Sequence, residues 1–586
     1  MSILEPAEPV KATETFDTDG DYPEFRGWEA IGFHRPLASE LWELVLEMIE
    51  NVLYIFILAY LVPLLMPYPE IQGYRNLAGG LFYLVFVIFD VGTNFDLGRF
   101  IAEYRQKNPH KMMEYVNFVM RYQMWTGLLQ VTVLSFYILR VFVYGEYGYL
   151  VWIILLEMQK QYPGMLGIFK GLLHGMQQFA VTQVMNWVQS KGIEMILNIG
   201  FVLLGRWYGE QNPEVGIIMG MAMFGVIGNY IDDLIMLPIS AYYCNKVMKA
   251  GLGFSLWEAL NYKVGKDVYQ KALRYGIPNS ILPIIGSAWG LYMTLVQSSL
   301  IPGYITLMAL ASFGGNLTGI IGQMGDFNLR MMVAEAYCSG KRELAEFYIS
   351  NSLKWRFFFR CLIACAIFAA FPYLEMMVNV NTGLQPYAPG MIFLLPTLFR
   401  RFIEPIFYIY GDILHGAEKI NQDQLFSLIE MNANGIFFIL YMYVFKVYET
   451  MEGLIFLWVF SGFVTYLVVK WPLLVYYLKK KNLLKVKIYW MPTMVIPLIC
   501  SIPAIIFARV FFYTGFPYLV AWFGFNTSTT ICYALFFFIL LFSYFPLTVL
   551  LGGWDDYQFF IFEKAVALSG PSKVLFLPLF KFMKHF

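Results

Sequence analysis

Polarity along this chain changes on the scale of whole helices, not of single residues. Predominantly apolar runs of roughly 20 residues or more, the length that crosses a hydrocarbon layer as a helix, recur fourteen times, at 42–66, 78–98, 117–143, 147–169, 179–205, 214–243, 276–300, 304–329, 357–379, 386–416, 424–445, 453–478, 488–513 and 527–551. A spanning strand needs only about ten residues and alternates its two faces. The pattern therefore predicts an all-α polytopic membrane protein with about 14 transmembrane helices. Residues 1–40 are polar and acidic (Glu5, Asp17, Asp19, Asp21, Glu24) and read as a largely disordered cytoplasmic arm without a cleavable leader.

An internal echo organises these runs. The stretch Asp90 to Glu114 reads DVGTNFDLGRFIAEYRQKNPHKMME, and Phe95, Leu97, Ala102, Glu103 and Glu114 recur as Phe327, Leu329, Ala334, Glu335 and Glu346. Ile101 and Tyr115 recur as Val333 and Phe347, and LLHG at Leu172–Gly175 recurs as ILHG at Ile413–Gly416. So long a period is not a solenoid. It marks two copies of a helical bundle, a construction common among transporters. The layout expected is an N-lobe of six spans at 41–244, a C-lobe of six at 276–480, and spans thirteen and fourteen with a cytoplasmic tail at 481–586. Between the lobes, 245–275 carries Lys246, Lys249, Lys263, Lys266, Lys271 and Arg274 around Phe254, Leu256, Trp257 and Leu260, which reads as an amphipathic helix on the inner leaflet.

Composition agrees with a bilayer as solvent: 59% of residues are hydrophobic and 14% charged. Formal net charge is zero, which argues against nucleic acid. With the N-terminus inside, 30 of the 41 Lys and Arg residues fall on cytoplasmic segments, and only Arg75, Arg140, Arg206, Lys446 and Arg509 fall outside. Both termini are thus expected in the cytoplasm. The six cysteines form no metal-ligand or CxxC spacing, and Cys361 and Cys365 read as packing. No metal or cofactor is expected.

Charge inside a span is costly unless it meets a partner or a cavity, so it marks candidate sites. Glu157 with Lys160 in span four, and Lys191 with Glu194 in span five, are each spaced to share a helix face. They read either as a substrate site, the lysines holding a phosphate and the acids gating it, or as a self-neutralised structural cluster. Arg400, Arg401 and Glu404 lie between Pro396 and Pro405, where a broken helix is expected to free carbonyls; the arginines bind phosphate, snorkel, or pair with Glu404. Asp90 is a candidate for coupling to a proton or sodium ion, or else a structural hydrogen-bonding group. Asp96, Arg99, Asp326 and Arg330 read as charge pairs at an inner gate, Arg121 and Arg360 as snorkelling side chains, and His174 and His415 as hydrogen-bonding turn residues. Span eight is rich in glycine (Gly314, Gly315, Gly319, Gly322, Gly325), which suits close approach, and Pro278 and Pro283 interrupt span seven.

The segment FDLGRFIAEYR (95–105) resembles the polysaccharide-transporter branch of the multidrug/oligosaccharidyl-lipid/polysaccharide (MOP) exporter superfamily. LRYGIP at Leu273–Pro278, AEAYCSGKRE at Ala334–Glu343 and GLLHGMQQF at Gly171–Phe179 are similar to that branch in order and placement. The resemblance spans all but the arm. It implies a MATE/MOP-like fold and an oligosaccharide flippase in the cell membrane. Such a transporter moves a lipid-linked glycan of the polyprenyl-phosphate type by alternating access, as a monomeric unit amid membrane lipids, with no enzymatic step. His174 and His415 stand where the branch has glutamine more often, which bears on the substrate. The competing reading is an ion-coupled drug or metabolite antiporter of the same superfamily. A membrane glycosyltransferase or acyltransferase would need acids or a histidine on a long exterior loop, and the exterior loops here are short.

Overall fold

The computed structural model describes residues 33–585 except 90–99, 102–103, 105–107, 146, 160–161, 163, 177–184, 187, 320, 322–326, 328, 339 and 418. All regular elements among the described residues are helical. In chain order they include α1 (His34–Tyr60), α2 (Pro69–Phe89), α3 (Pro109–Arg140), α4 (Val151–Gln159), α5 (Met165–Gly175), α6 (Glu194–Gln211), α7 (Ile217–Leu252), α8 (Lys266–Leu300) and α9 (Tyr304–Leu317). There follow α10 (Leu329–Cys338), α11 (Arg342–Val380), α12 (Leu394–Gly416), α13 (Ile420–Ile439), α14 (Met451–Lys480), α15 (Met491–Thr514), α16 (Phe525–Leu550), α17 (Asp556–Leu568) and α18 (Lys573–Met583).

Nine helices among the described residues are long and apolar enough to cross a membrane, or ten if the α17–α18 pair, bent by 117°, counts as one. Fourteen were expected. Within span four the described helices are α4 and α5, and Gly164, just before α5, has φ +60°. Span eight is described as helix α9 only to Leu317. Spans one and ten carry several charges each, among them Glu43, Glu47, Arg400 and Arg401.

Several other expectations change. The arm ends early, because Leu37, Leu41, Leu44 and Met48 form an apolar stripe that is buried and helical from His34. At 245–275 there is no amphipathic helix. Instead α7 runs to Leu252, Gly253 stops it in the left-handed region, and a short 3₁₀ turn (Leu256–Asn261) leads into α8. Pro278 and Pro283 lie within the unbroken α8, and Pro405 within the unbroken α12. Pro396 is tolerated in the first turn of α12, where backbone N–H groups lack helical partners anyway. The tail after span fourteen is folded: a capping box at Asp555 starts α17, with Gln558 N–H donating to Asp555 Oδ1 at 2.9 Å and Asp555 N–H to Gln558 Oε1 at 3.1 Å.

The chain divides into two compact units. Unit one contains Tyr68–Thr306, and unit two contains the described residues from Leu307 on together with those up to Pro67. This differs from a division at the 245–275 connection: α1 packs with the second half, and α8 with the first. In unit one, α6 and α7 cross glycine to glycine. A Cβ on Gly220 would sit 2.5 Å from the Gly205 carbonyl oxygen, and one on Gly209 would sit 2.5 Å from that of Gly216. Small residues four apart on both helices permit this backbone contact. In unit two the central element is α11, apolar on all sides, with 78% of its most hydrophobic window buried. Trp355, Phe358 and Phe359 on α11 pack against Tyr544, Phe545, Trp554 and Phe562. Gly314 makes the close approach expected of span eight, with its Cβ position 2.9 Å from the Gly390 carbonyl oxygen.

The echoed Glu114 and Glu346 do the same work in the two units. Glu114 Oε2 accepts from the Gly265 N–H at 2.9 Å, immediately before α8. Glu346 Oε1 accepts from the Lys485 N–H at 3.0 Å, on the connection before α15. Each carboxylate, near the start of its helix, thus ties down a connection distant in sequence but within the same unit. Beside the first clamp, the Lys111 ammonium holds the Asp267 carboxyl below its ordinary range.

Glu346→Ala and Glu114→Ala are expected to destabilise the protein by about 1.5–3 kcal/mol each, the usual worth of a hydrogen bond to a charged group, read as a lower melting temperature in detergent. Gly220→Leu is expected to be worse, with loss of monodisperse protein on size exclusion, because α6 blocks the new side chain.

Candidate functional site: two buried charge networks

The charges that the apolar spans carry are gathered in each unit into a network. In unit one the centre is Arg75, which sequence reasoning placed on the exterior. Helix α2 starts at Pro69, with Pro at its first position and Glu70 in its first turn, so Arg75 lies inside the helix. Its guanidinium interacts electrostatically with Glu157, in the last turn of α4, and with Glu194, the first residue of α6. It also lies 3.1 Å from the Asn229 amide oxygen, in the amide orientation that lets Asn229 nitrogen donate to the Gly225 carbonyl at 3.3 Å. Gly225 makes room for it: a Cβ there would be 3.1 Å from Arg75 Nη1.

Both acids lie at helix irregularities. Glu157 precedes the break between α4 and α5, and Glu194 follows a π-helical turn, Val188–Ile193. Lys191 lies within that turn. The two acids do meet, at Arg75. Lys160 lies outside the described residues, and of Lys191 only the backbone is described.

A second group adjoins the first. Lys170 Nζ on α5 donates to Gln189 Oε1 at 2.6 Å, and Gln189 Nε2 donates to Asp232 Oδ2 at 2.9 Å and to Asp233 Oδ1 at 3.0 Å on α7. Lys170 and Asp232 both interact electrostatically with Glu194, which joins the groups into one network. Asp232 is 2% exposed, and its Oδ1 has no hydrogen-bond partner among the described residues. Arg75, Lys170, Gln189, Asp232 and Asp233 were missed in the sequence. The adjacent acids Asp232 and Asp233 inside an apolar run were the available signal.

In unit two the centre is Glu404 on α12, with Arg400, Arg360 and Arg401 all in electrostatic range. Arg400 Nε lies 2.9 Å from Glu404 Oε1, so the pairing alternative is realised. Each arginine also donates to a carbonyl at a helix irregularity. Pro405 has no N–H, which leaves the carbonyl of Arg401, four residues earlier, without its helical partner. Arg360 Nη1 donates to that carbonyl at 3.1 Å. Arg401 Nη1 donates to the Thr318 carbonyl at 2.8 Å, just past the end of α9. Arg400 Nη1 donates to the Val459 carbonyl at 2.8 Å, within a π-helical turn (Phe456–Phe460) of α14. Arg360 is 8% exposed and does not snorkel; α11 begins at Arg342, well before the span expected at 357, so this residue lies deep in the helix. Gly319 gives Arg401 space, its Cβ position being 3.6 Å from Nη1.

Next along α12, Arg356 reaches Asp412 at 3.5 Å, and His415 Nε2 lies 2.9 Å from Asp423 Oδ2. Lys470 Nζ lies 3.2 Å from Asp423 Oδ1 and donates to Ser427 Oγ at 2.6 Å. The histidine is a hydrogen-bonding group between α12 and α13, as expected. Asp412, Asp423, Glu430 and Lys470 were not singled out in the sequence, although Glu430 and Lys470 lie in apolar runs. Asp90, Asp96, Arg99 and Asp326 lie outside the described residues, as does the side chain of Arg330. No group of three metal-ligating side chains occurs among the described residues.

No protein-family model matches the chain, and no curated protein sequence matches it. Solved structures do. A MOP superfamily transporter from Pyrococcus furiosus, its binding pocket described as reversed in polarity, aligns at TM-score 0.52 and 14% identity over 77% of this chain and 98% of its own. Outward- and inward-facing conformations of a multidrug resistance MATE family transporter align over 77% of this chain, at TM-scores 0.49 and 0.48 with 14% and 12% identity. They are covered over 98% and 95% of their own lengths. The chain is a multi-pass membrane protein with a MATE/MOP-like fold.

Proposed function

We propose that this chain is an alternating-access flippase or exporter that moves a lipid-linked oligosaccharide or polysaccharide precursor across the cytoplasmic membrane, with both termini cytoplasmic and no covalent chemistry. The observation that carries this reading is the imbalance at Glu404: three guanidiniums face one carboxylate among the described residues. Guanidiniums gathered in an apolar bundle are costly to bury. A polyprenyl-phosphate headgroup is an anion that offsets that cost, and guanidinium geometry suits phosphate oxygens. The lipid tail stays in the bilayer throughout. Lys160 and Lys191 act as further phosphate contacts, Glu157 and Glu194 as the gate closed on Arg75, Asp90 as the site of proton or sodium coupling, and Asp96, Arg99, Asp326 and Arg330 as the inner gate.

A second reading rests on unit one. Among its described side chains Glu157, Glu194, Asp232 and Asp233 outnumber Arg75 and Lys170, a balance that suits an organic cation and an ion-coupled drug or metabolite antiporter.

Reconstitution with a fluorescent polyprenyl-phosphate sugar, scored for leaflet exchange with and without an ion gradient, separates the two. Arg400→Gln with Arg401→Gln is expected to slow exchange about tenfold or more, the worth of a lost charged hydrogen bond, at an unchanged yield of folded protein. Lys160→Ala or Lys191→Ala is likewise expected to slow exchange without lowering the folded fraction; unfolding of both would make those lysines structural. Unchanged exchange in the arginine pair, together with gradient-driven efflux of an organic cation that Asp232→Asn abolishes, would establish the antiporter instead.

A further inference from the structure

Unit one has an open apolar groove of about 450 Å³ between α5, α7 and the 3₁₀ turn that follows α7. Its walls are Met165 and Phe169 on α5, Pro238, Ala241 and Tyr242 on α7, and Trp257 on the turn. The polar residue in the lining, Asn245, has its Oδ1 committed: it accepts from Ser255 Oγ at 2.9 Å and from the Leu256 N–H at 3.0 Å. Those bonds fasten the turn to α7 and so hold Trp257 opposite Tyr242. Both aromatic side chains remain exposed, Tyr242 at 62% and Trp257 at 57%.

The groove continues into charge. On α7 the stripe Pro238, Tyr242, Asn245 runs at helical spacing into Lys246 and Lys249, both exposed. Lys263 and Lys266 follow on the exposed connection to α8. Against these cations stand Glu258 on the turn and Asp267, which is already paired with Lys111. An apolar trough flanked by Trp and Tyr, opening onto a run of lysines, has the chemistry of a membrane interface.

We propose that this groove is a binding site for one anionic phospholipid, its acyl chain lying between Tyr242 and Trp257 and its phosphate met by Lys246 and Lys249. The occupant is a lipid and not a soluble phosphate, because the trough is apolar along its length and is built into a membrane-spanning unit. The proposal is independent of what the protein transports.

Nanodiscs of phosphatidylcholine doped with acyl-brominated phosphatidylglycerol test it, the part of the fluorescence due to Trp257 being taken as the difference between the wild type and Trp257→Phe. That part is expected to be half-quenched at about a tenfold lower mole fraction of brominated phosphatidylglycerol than of brominated phosphatidylcholine, the factor that two lysines near anionic lipid supply. Lys246→Gln with Lys249→Gln should bring the two lipids together at an unchanged melting temperature, and millimolar inorganic phosphate should not relieve the quenching. Equal quenching by both lipids in the wild type, an unaffected double variant, or relief by phosphate would each overturn the proposal.

Discussion

Everything distinctive about this bundle follows from one rule: inside an apolar environment each released carbonyl and each charge must find another. Around Glu404 the rule is met three times over. Arg360 donates to the carbonyl that Pro405 orphans, and Arg401 and Arg400 donate to carbonyls at a helix end and in a π-helical turn. The arginines thus sit against irregular backbone within an apolar unit.

Unit one solves the same problem with side chains. A broken span and a π-helical turn bring Glu157 and Glu194 to Arg75, and Gln189 bridges Lys170 to two aspartates. Gly225 beside Arg75 leaves volume that the planar guanidinium occupies. The two networks differ in what they hold in excess. Among described side chains the network around Arg75 is rich in acids, and the centre of the second is rich in arginine.

Helix type was legible, because it is written in the long-range pattern of apolar run length. The echoed glutamates Glu114 and Glu346 each accept a backbone N–H from a distant connection. Helix boundaries were less legible, and the errors there misplaced the chemistry. Starting span two at 78 instead of 69 put Arg75 outside, and starting span nine at 357 instead of 342 turned Arg360 into a snorkelling residue. Proline was read as a breaker, yet Pro405 sits in an intact helix, since losing one hydrogen bond is tolerable when a guanidinium takes over the orphaned carbonyl. The partners of Glu157 and Glu194 come from α2, far away in sequence, and no local spacing reveals them.

The membership of α1 in unit two has a consequence for biosynthesis. Its packing partners are α16 and α17, near the far end of the chain. The earliest helix to leave the ribosome is therefore among the last to be matched. At translation speeds of about 5–20 residues per second, it waits on the order of half a minute to two minutes in lipid before those partners emerge. Throughout that interval Glu40 and the other acids of α1 lack the surroundings that bury them, so the nascent protein depends on something else, lipid headgroups or the insertion machinery, to shelter its first span.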